Sequence, residues 1–546
     1  MGLFIRKPFE ALQAEANASG KKTLKRVLGP WSLVALGVGV IIGAGLFSIT
    51  GTVAAGYTGP AITLSFAIAA LGCCFAGLCY AEFASMIPVA GSAYTYSYAT
   101  MGELIAWIIG WDLVLEYTVA ATTVSISWSR YLVVFLEGLD IHLPQALTAC
   151  PWDGGVVNIP AFLIVVLMSL FLIRGTEGSS IFNGFIVFLK VSVILIFVIL
   201  GWKYINTDNY TPYIPANPGV LGEYGFSGIL RGAAIVFFAF LGFDAVSTAA
   251  QETKNPKRNM PIGILVSLLV CTVLYMVFAH VMTGVAHYTA FSGQQGIAPV
   301  AIAIEHMGQA DAAGVIQPDY PWLNRAIVLS ILFGYCSVIM VTLLGQSRVF
   351  LSMSHDGLLP PFFSHINEKF RTPARSNLLF MVLVGLLAAF VPARLAGEMT
   401  SIGTLMAFTL VCAAVLVVRR TMPDVPRSFK TPLVPLIPIL GILTCLCMML
   451  FLPADTWIRL VLWMLIGLDI YVGYGMKHSK LEHGGDTRHG QVTLNMIGLI
   501  LAVLCVITGL WHQQTVGWGE SKVLLIISFV FAFTHCAYYM WRIWRR

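Results

Sequence analysis

Charged residues are scarce in this chain, and their scarcity excludes an ordinary soluble protein. Only 11% of the 546 residues are Asp, Glu, Lys or Arg, whereas 58% are hydrophobic and the mean hydropathy is +0.83. This composition is typical of a polytopic membrane protein, whose long apolar segments face lipid or one another. The 11 cysteines indicate no disulfide framework, because all except Cys150 fall in apolar segments.

Signatures of enzymes and of metal sites are missing as well. The 11 histidines have no metal-ligand spacing, and no nucleophile–base pair or phosphate-binding loop stands out. The net charge of +6 comes from basic residues in alternate loops, which is a signal of membrane topology and not of nucleic-acid binding. We therefore expect no catalysis, no cofactor, no metal and no nucleic-acid partner.

Fourteen apolar segments are long enough to cross a hydrocarbon core of about 30 Å. They lie at about 31–55, 61–86, 101–128, 157–174, 180–202, 226–250, 261–285, 325–352, 377–393, 398–419, 434–452, 456–476, 492–511 and 521–541. With the N-terminus inside, the inner connections hold 24 Lys and Arg residues and the outer ones 7. This positive-inside bias predicts an even number of spans and cytoplasmic termini.

Two of these spans contain residues that disfavour a continuous helix. Span 1 has four glycines, and each weakens a helix by about 1 kcal/mol relative to alanine. They are Gly37, Gly39, Gly43 and Gly45. Span 6 carries Gly242 and Asp244. Interrupted helices at corresponding places in two halves indicate the binding site of a transporter. The alternative for Gly43 and Gly45 is a face of small residues that permits close helix packing.

Several motifs resemble those of the amino acid–polyamine–organocation (APC) superfamily of transporters. They are 43–47 in span 1, 80–96 after span 2, 240–244 and 251–261 in and after span 6, and 356–360 after span 8. The fourteen spans and the form of span 6 resemble the superfamily's cationic amino acid transporter (CAT) family. Gln251 departs from the pattern, because an acid is usual there, as do Ser354 and His355, which stand where Ala-Arg is usual.

The resemblance implies an all-α membrane protein with the LeuT-type fold. In this fold, spans 1–5 and 6–10 form a 5+5 inverted repeat, and spans 1 and 6 are broken. We expect a cytoplasmic N-terminal segment at 1–30 and a transporter core at 31–420, with repeats at about 31–202 and 226–420. Residues 421–546 would form four peripheral transmembrane helices and a cytoplasmic C-terminus.

Half-helix ends suit the two charged groups of an amino acid. Free amides at a helix N-terminus suit its carboxylate, and free carbonyls at a C-terminus suit its ammonium. By the family pattern, the amides of Ala44 and Gly45, opened by Gly43, bind the carboxylate. The ammonium is assigned to the carbonyls of Ile41, Ile42, Phe238, Ala239 and Leu241. Phe237 or Phe238 is a candidate lid over the substrate, although most such aromatics face lipid or the core.

Lys190 lies in the middle of span 5, roughly 10–15 Å from either end of the helix. A charged lysine there costs about 2.5–3.5 kcal/mol or more, so it has to be paired or neutral. Some proton-coupled members of this fold have a span-5 lysine where sodium-coupled members hold an ion between spans 1 and 8. We hypothesise that Lys190 couples transport to protons; the alternative is a fixed structural cation.

Glu116 in span 3 is the second candidate for proton coupling. Asp112 lies one turn earlier on the same helix face, and intramembrane acids are functional candidates by default. Glu116 either pairs with Lys190 or helps to protonate it, or it is a buried acid satisfied by hydroxyl or backbone groups. We also expect Asp244 and Glu82 to be structural or gating acids. A solvated loop is expected to hold Glu252, Lys254, Lys257 and Arg258.

Together these features predict a secondary active transporter that imports L-amino acids by proton symport with alternating access. We place it in the plasma (bacterial inner) membrane, surrounded by lipid and without an identifiable protein partner. The alternatives are an exchanger without proton coupling and an amino acid sensor that transports nothing. A cationic substrate side chain would need an acid in the pocket, and Glu116 is the one unassigned acid near a break. We therefore expect small or broad neutral substrates.

Overall fold

The computed structural model describes residues 2–17, 26–43, 45–89, 91–292, 299–310, 316–370, 372–481, 487–516 and 522–544. The fold is helical, as predicted, and every predicted span coincides with at least one helix. The first part of the chain forms α1 (Phe9–Asn17), α2 (Pro30–Ile41), α3 (Thr50–Val53), α4 (Ile62–Met86), α5 (Ser92–Thr100), α6 (Glu103–Glu137), α7 (Gln145–Thr148), α8 (Ile159–Ile173) and α9 (Thr176–Gly201).

The middle of the chain has a similar succession of helices. It forms α10 (Gly225–Val236), α11 (Ala245–Thr248), α12 (Pro256–Val285), α13 (Pro299–Glu305), α14 (Pro321–His355), α15 (Ala374–Phe390) and α16 (Ala393–Thr421). The β-structure of the described residues is one antiparallel pair, β1 (Gly308–Ala310) and β2 (Ile316–Pro318). The last part forms α17 (Leu436–Leu450), α18 (Ala454–Ile470), α19 (Met476–His478), α20 (Thr487–Val516) and α21 (Lys522–Trp544).

Ten helical segments of the described chain are long and apolar enough to cross a membrane. The first of them, Pro30–Met86, covers two predicted spans, and the shorter apolar helices α8, α15 and α17 coincide with three others. Proline begins α2, α12 and α14, where its missing N–H costs no hydrogen bond. The Asn158 side chain caps α8 by accepting a hydrogen bond from the Ala161 amide at 3.1 Å.

The helices around the core pack in matching pairs. Helix α12 packs along α2, and α4 packs along α10. Helix α6 packs along α16, and α14 packs along α9. The pairs α4–α12, α6–α14 and α8–α15 join the two parts of the chain. These contacts surround the two predicted breaks with α4, α6, α12 and α14.

The helices after α16 attach to the outside of this arrangement. Helix α17 packs on α16 and α4, and α18 packs on α6, α16 and α20. Trp111 of α6 and Trp463 of α18 stack with ring centroids 4.4 Å apart. Each indole N–H donates to the other residue's carbonyl, at 2.9 and 3.0 Å, so both polar atoms are satisfied within the membrane. Helix α20 packs on α18 and α21, and α21 packs mainly on α20.

Candidate functional site

The chain leaves its helix within span 1, where the glycines predict a break. Helix α2 ends at Ile41, Ile42 has extended backbone angles (φ −76°, ψ 97°), and helical structure resumes in a π-helical turn at Gly45. The carbonyl of Gly43 accepts hydrogen bonds from the first amides of this second half, at 3.2 and 3.3 Å. The predicted carboxylate ligand Ala44 lies outside the described residues.

Span 6 is interrupted at the predicted place too. Helix α10 ends at Val236, a 3-10 turn covers Phe237–Phe240, and Ala245 begins α11. Between them, Gly242 has φ +100°, in the left-handed region that favours glycine. A Cβ atom on Gly242 would also lie 1.8 Å from Cγ1 of Val40 in α2. Backbone conformation and close packing therefore both require glycine at this position.

The two breaks touch at Gly45. A Cβ on Gly45 would lie 2.2 Å from the Cα of Ala239, so only a glycine permits this approach of the backbones. Gly43 is less crowded, since its Cβ would lie 3.0 Å from a methyl carbon of Val338. Helix breaking and close packing, the two interpretations of these glycines, thus both apply to span 1.

A buried cavity lies where the two breaks face α6 and α14. Six predicted site residues line it: Ile41, Gly43, Gly45, Glu116, Phe238 and Leu241. The remaining lining residues are mostly apolar or small: Val40, Tyr117, Ala120, Val124, Gly242, Val338 and Thr342. The cavity volume is about 20 Å³, which is room for about one water molecule. The helices around it therefore have to move apart before an amino acid can enter.

Three predicted site residues next to the breaks do not line this cavity: Ile42, Phe237 and Ala239. Phe238 lines the cavity, whereas Phe237 packs against Phe408 of α16 with ring centroids 5.6 Å apart. Ile42 and Ala239 are not among the described residues that line the cavity. Their carbonyl oxygens accept hydrogen bonds from side chains on α9 and α12. The structure therefore distinguishes the two aromatic candidates for a lid.

Tyr275 of α12 connects the two breaks, and sequence analysis missed it. Its hydroxyl oxygen lies 2.5 Å from the carbonyl oxygen of Ile41 and 2.8 Å from that of Ala239. A hydroxyl has one proton, so Tyr275 donates to one of these carbonyls at a time. The signal available in the sequence was a phenol within an apolar span. Buried tyrosines such as Tyr80 give the same signal, so it does not single out Tyr275.

The ammonium group of Lys190 lies against the end of α2. The side chain is fully buried, and Nζ donates to the carbonyl oxygens of Gly39 and Ile42, the latter at 2.8 Å. These carbonyls belong to the last turn of the half-helix, where intrahelical partners run out. Among the described residues, no carboxylate forms an ion pair with Lys190. Its partners are backbone acceptors.

Two polar side chains extend this contact between α2, α9 and α14. The Asn183 side-chain amide donates to the carbonyl of Ala35 at 3.2 Å. The hydroxyl of Ser337 donates to Oδ1 of Asn183. Lys190, Asn183 and Ser337 thus form a polar seam where spans 1, 5 and 8 meet. Such a seam orients the lysine, because Asn183 fixes the backbone of α2 at Ala35, one turn before the Gly39 carbonyl that Lys190 contacts.

Glu116 approaches the site from α6 and does not meet Lys190, which approaches it from α9. The hydroxyl of Thr404 in α16 is a hydrogen-bond partner of Glu116, and one carboxylate oxygen has none. The ion pair between Glu116 and Lys190 is therefore not formed, because Glu116 bonds to α16 whereas Lys190 bonds to the end of α2. Glu116 instead lines the cavity, next to Tyr117.

Two further buried carboxylates lie near Glu116. Asp112 has no hydrogen-bond partner on either oxygen within the described part of the chain, and Gly403 makes room for it, since a Cβ there would lie 2.8 Å from Oδ1. Asp244 accepts a hydrogen bond from the Tyr117 hydroxyl at 2.7 Å. Both acids interact electrostatically with Glu116. Glu116, Asp112 and Asp244 therefore form an acidic cluster beside the cavity.

A backbone bridge and an ion pair close the site on the side where the N-terminus lies. Leu28, just before α2, forms a parallel bridge with Thr253. The neighbouring Glu252 is buried and binds Arg348 of α14 at 2.6 Å. The expectation that Glu252 lies in a solvated loop is wrong, because a buried guanidinium and not water satisfies its carboxylate.

Further ion pairs reinforce this closed side. Glu82, expected to be a structural or gating acid, binds Arg419 at 2.9 Å and Arg427 at 3.1 Å. The N-terminal segment contributes Lys7, whose ammonium lies 2.7 Å from a carboxylate oxygen of Asp356. The described N-terminal residues therefore pack on the same side as the loops that follow α11 and α14.

Two half-helices that present backbone groups beside a buried cavity suit a solute with an amino and a carboxylate group. A sequence model of the family described as amino acid permease matches residues 28–468. The chain belongs to the amino acid permease family. The predicted resemblance to the APC superfamily and its CAT family is confirmed. The permease is a transporter and not an enzyme.

Relatives of the permease fall into several substrate groups by name. It is 46% identical over 473 residues to the branched-chain amino acid permease BcaP of Bacillus subtilis (strain 168), covering 86% of this chain and 97% of the relative. It is 41% identical over 482 residues to the methylthioribose transporter of the same organism (88% and 99% covered). The vacuolar cationic amino acid transporter 4 of Arabidopsis thaliana is 37% identical over 412 residues (75% and 66% covered). The permease is thus an integral protein of the plasma membrane.

Proposed function

We propose that this permease imports apolar L-amino acids by proton symport, with alternating access to a site between its two broken helices. The observation that carries the proposal is the buried ammonium of Lys190 bound to the carbonyls of Gly39 and Ile42. A protonated lysine holds the end of α2 with charge-assisted hydrogen bonds. A neutral lysine holds it less tightly, so the movement of span 1 becomes linked to the movement of a proton.

The architecture behind this proposal is the LeuT-type fold with fourteen crossings, of which spans 1–5 and 6–10 form the inverted repeats. A two-fold relation between repeats pairs span 1 with 6, 2 with 7, 3 with 8, 4 with 9 and 5 with 10. The packing supports this pairing: α2 meets α12 as α10 meets α4, and α6 meets α16 as α14 meets α9. Each of these two contacts within or between the repeats thus has a counterpart under the proposed two-fold relation.

The division of the chain and its orientation follow from the same fold. Residues 1–30 form the cytoplasmic N-terminal segment, 31–420 the core with repeats at about 31–202 and 226–420, and 421–546 four peripheral spans. The packing of α20 and α21 on each other and on α18 supports a peripheral role. The bias of basic residues toward alternate connections supports cytoplasmic N- and C-termini. The closed side described above is then the cytoplasmic gate.

In the proposed site, the substrate carboxylate binds the amides of Ala44 and Gly45, which Gly43 opens. The ammonium binds carbonyls at the two half-helix ends. These are the carbonyls of Ile41, Ile42, Phe238, Ala239 and Leu241. Tyr275 already donates to one of two such carbonyls, and a carbonyl has a second lone pair for the substrate. Binding therefore adds to the existing hydrogen bonds and does not have to replace them.

Besides its carboxylate and its ammonium group, the substrate has a side chain, and the apolar part of the cavity favours one that is neutral and aliphatic. Ala120, Val124, Val338 and Phe238 line it with carbon atoms. Glu116 is the charged side chain of the lining, and its environment holds Asp112 and Asp244 with no cation paired to any of the three among the described residues. We assign Glu116 to proton exchange with the cavity. Phe238 is the proposed lid. The branched-chain permease relative agrees with this substrate class.

Uptake into proteoliposomes tests the proposal. Labelled leucine is presented to the wild type, Lys190→Ala and the control Lys203→Ala, at matched pH and with acid outside. Lys203 follows α9 in the same chain segment but is exposed, so its loss changes the charge without touching the α2 contact. We expect acid-driven accumulation by the wild type and the control, and its loss in Lys190→Ala while leucine binding survives.

The other outcomes assign different functions. Accumulation that ignores the proton gradient in the wild type, combined with fast leucine–leucine exchange, would identify an exchanger and overturn symport. Binding without any flux would identify a sensor. Competition by methylthioribose, arginine and small neutral amino acids in the same assay measures selectivity. Stronger competition by arginine than by leucine would contradict the aliphatic substrate class.

A further inference from the structure

A groove of about 510 Å³ opens beside the first turns of α12, separate from the substrate cavity. Lys257 and Arg258 form its polar rim. Apolar side chains form much of its wall, among them Ile262, Leu265 and Val266. No residue lines both this groove and the cavity between the breaks. Its composition, cationic at one end and apolar at the other, calls for a ligand of the same mixed character.

The two cations of the rim are available to a ligand. Both side chains are exposed, and no ion pair among the described residues includes either of them. Arg348, on the same side of the membrane, is by contrast already bound to Glu252. Two neighbouring positive charges repel each other unless an anion lies between them. The rim therefore offers a site for an anion without a competing carboxylate.

Below the rim, one face of α12 stays apolar into the membrane. Ile262, Leu265, Leu269 and Val273 follow Arg258 in steps of three or four residues, which places them on one side of the helix. Leu269 is 65% exposed and Val273 is 54% exposed, so the groove continues as a lipid-facing stripe. At 1.5 Å per residue this stripe runs about 17 Å, more than half of a hydrocarbon core of about 30 Å.

We infer that this groove binds one anionic phospholipid, with the phosphate between Lys257 and Arg258 and an acyl chain along the apolar stripe of α12. A soluble phosphate would use the cations and leave the apolar wall uncovered. A zwitterionic lipid would cover the wall but bring no net charge to the two cations. With the orientation proposed above, the lipid comes from the cytoplasmic leaflet, where basic side chains at the membrane surface attract anionic headgroups.

Titration of fluorescent phosphatidylglycerol into the full-length permease in detergent micelles tests this inference, read out by anisotropy. The variant is Lys257→Gln with Arg258→Gln. Its matched control is Arg420→Gln with Lys480→Gln, which removes two exposed cations of the same side outside the groove. Each rim cation is expected to contribute about 5-fold in affinity, so the double variant should bind about 25-fold more weakly. The control should bind like the wild type.

A second variant separates the lipid from a free anion. Leu265→Trp fills the apolar wall and keeps both cations, so it should weaken binding of phosphatidylglycerol. If the rim variant and the control variant lose the same affinity for phosphatidylglycerol, general surface charge explains the effect, and the inference is overturned. Unchanged affinity of Leu265→Trp, equal binding of phosphatidylcholine, or displacement of the lipid by equimolar inorganic phosphate would also overturn it. If the double variant does not fold, the single substitutions Lys257→Gln and Arg258→Gln provide the same comparison.

Discussion

Alanine at Gly45 tests whether contact between the two breaks forms the substrate site. The added Cβ would lie 2.2 Å from the Cα and 2.5 Å from the Cβ of Ala239. Carbon atoms in ordinary contact are about 3.5 Å apart, so the backbones of spans 1 and 6 have to separate by about 1 Å. The proposed ligands are backbone atoms of these two segments. Their separation therefore changes the distance between the groups that would bind the carboxylate and the ammonium.

The magnitude follows from the crowding. Overpacking of this kind costs about 1–3 kcal/mol, which corresponds to a loss of about 5- to 150-fold in substrate affinity if the strain falls on the bound state. Alanine also stabilises a helix by about 1 kcal/mol relative to glycine. This second effect would be mixed with the crowding if Gly45→Ala were compared with the wild type alone. Gly56→Ala is the matched control. Gly56 lies in a second π-helical turn, Ala54–Thr58, at the end of span 1. A Cβ there meets no atom within 4 Å.

Equilibrium binding of labelled leucine to the purified permease, with uptake into proteoliposomes, measures the effect. We expect Gly56→Ala to bind and transport like the wild type, and Gly45→Ala to lose at least about 5-fold in affinity. A thermal unfolding curve separates misfolding from a local change of the site. A folded Gly45→Ala permease with wild-type affinity and uptake would refute the idea that the contact of the two breaks shapes the site.

Three other substitutions test particular contacts. Tyr275→Phe removes the hydroxyl that serves both breaks and should raise the KM for leucine about tenfold, the effect of about 1.4 kcal/mol; an unchanged KM would make Tyr275 a packing residue. Glu116→Gln should alter the pH profile of uptake, and an identical profile would exclude proton exchange at this site. Arg348→Met leaves Glu252 buried without a cation and should lower stability by about 3–5 kcal/mol. Arg130 is partly exposed and pairs with Asp153, so Arg130→Ala should cost less than about 1 kcal/mol, with both variants measured by unfolding in detergent.

The breaks were predictable because their cause is local. Gly43, Gly45 and Gly242 interrupt apolar spans, and a glycine acts on the conformation of its own backbone. The depth of Lys190 was predictable for a similar reason, since counting along a helix gives position in the membrane. The predicted helices likewise follow from apolar segments of sufficient length. These features need no knowledge of which segments are neighbours in space.

The partners of these residues depend on tertiary packing and could not be predicted. Lys190 binds carbonyl oxygens 148 and 151 positions away, and every residue has a carbonyl, so side-chain chemistry does not identify them. Glu252 looks like a member of a charged loop until Arg348, 96 positions away, is placed beside it. Tyr275 is one of many buried tyrosines, and only the meeting of the two breaks at its hydroxyl distinguishes it.

The bridge between Leu28 and Thr253 limits how the closed side of the site can open. The amides of Val27 and Leu28 donate to the Glu252 carbonyl at 2.8 and 3.0 Å, and the Lys254 amide donates to Leu28 at 2.8 Å. While these bonds hold, the first half of span 1 and the segment after span 6 move as one lever. Opening by rotation of this lever breaks the contact of Glu252 with Arg348 but keeps the bridge, whereas separate swinging of the two segments breaks both. Rotation of the lever therefore breaks fewer contacts than separate swinging of the two segments.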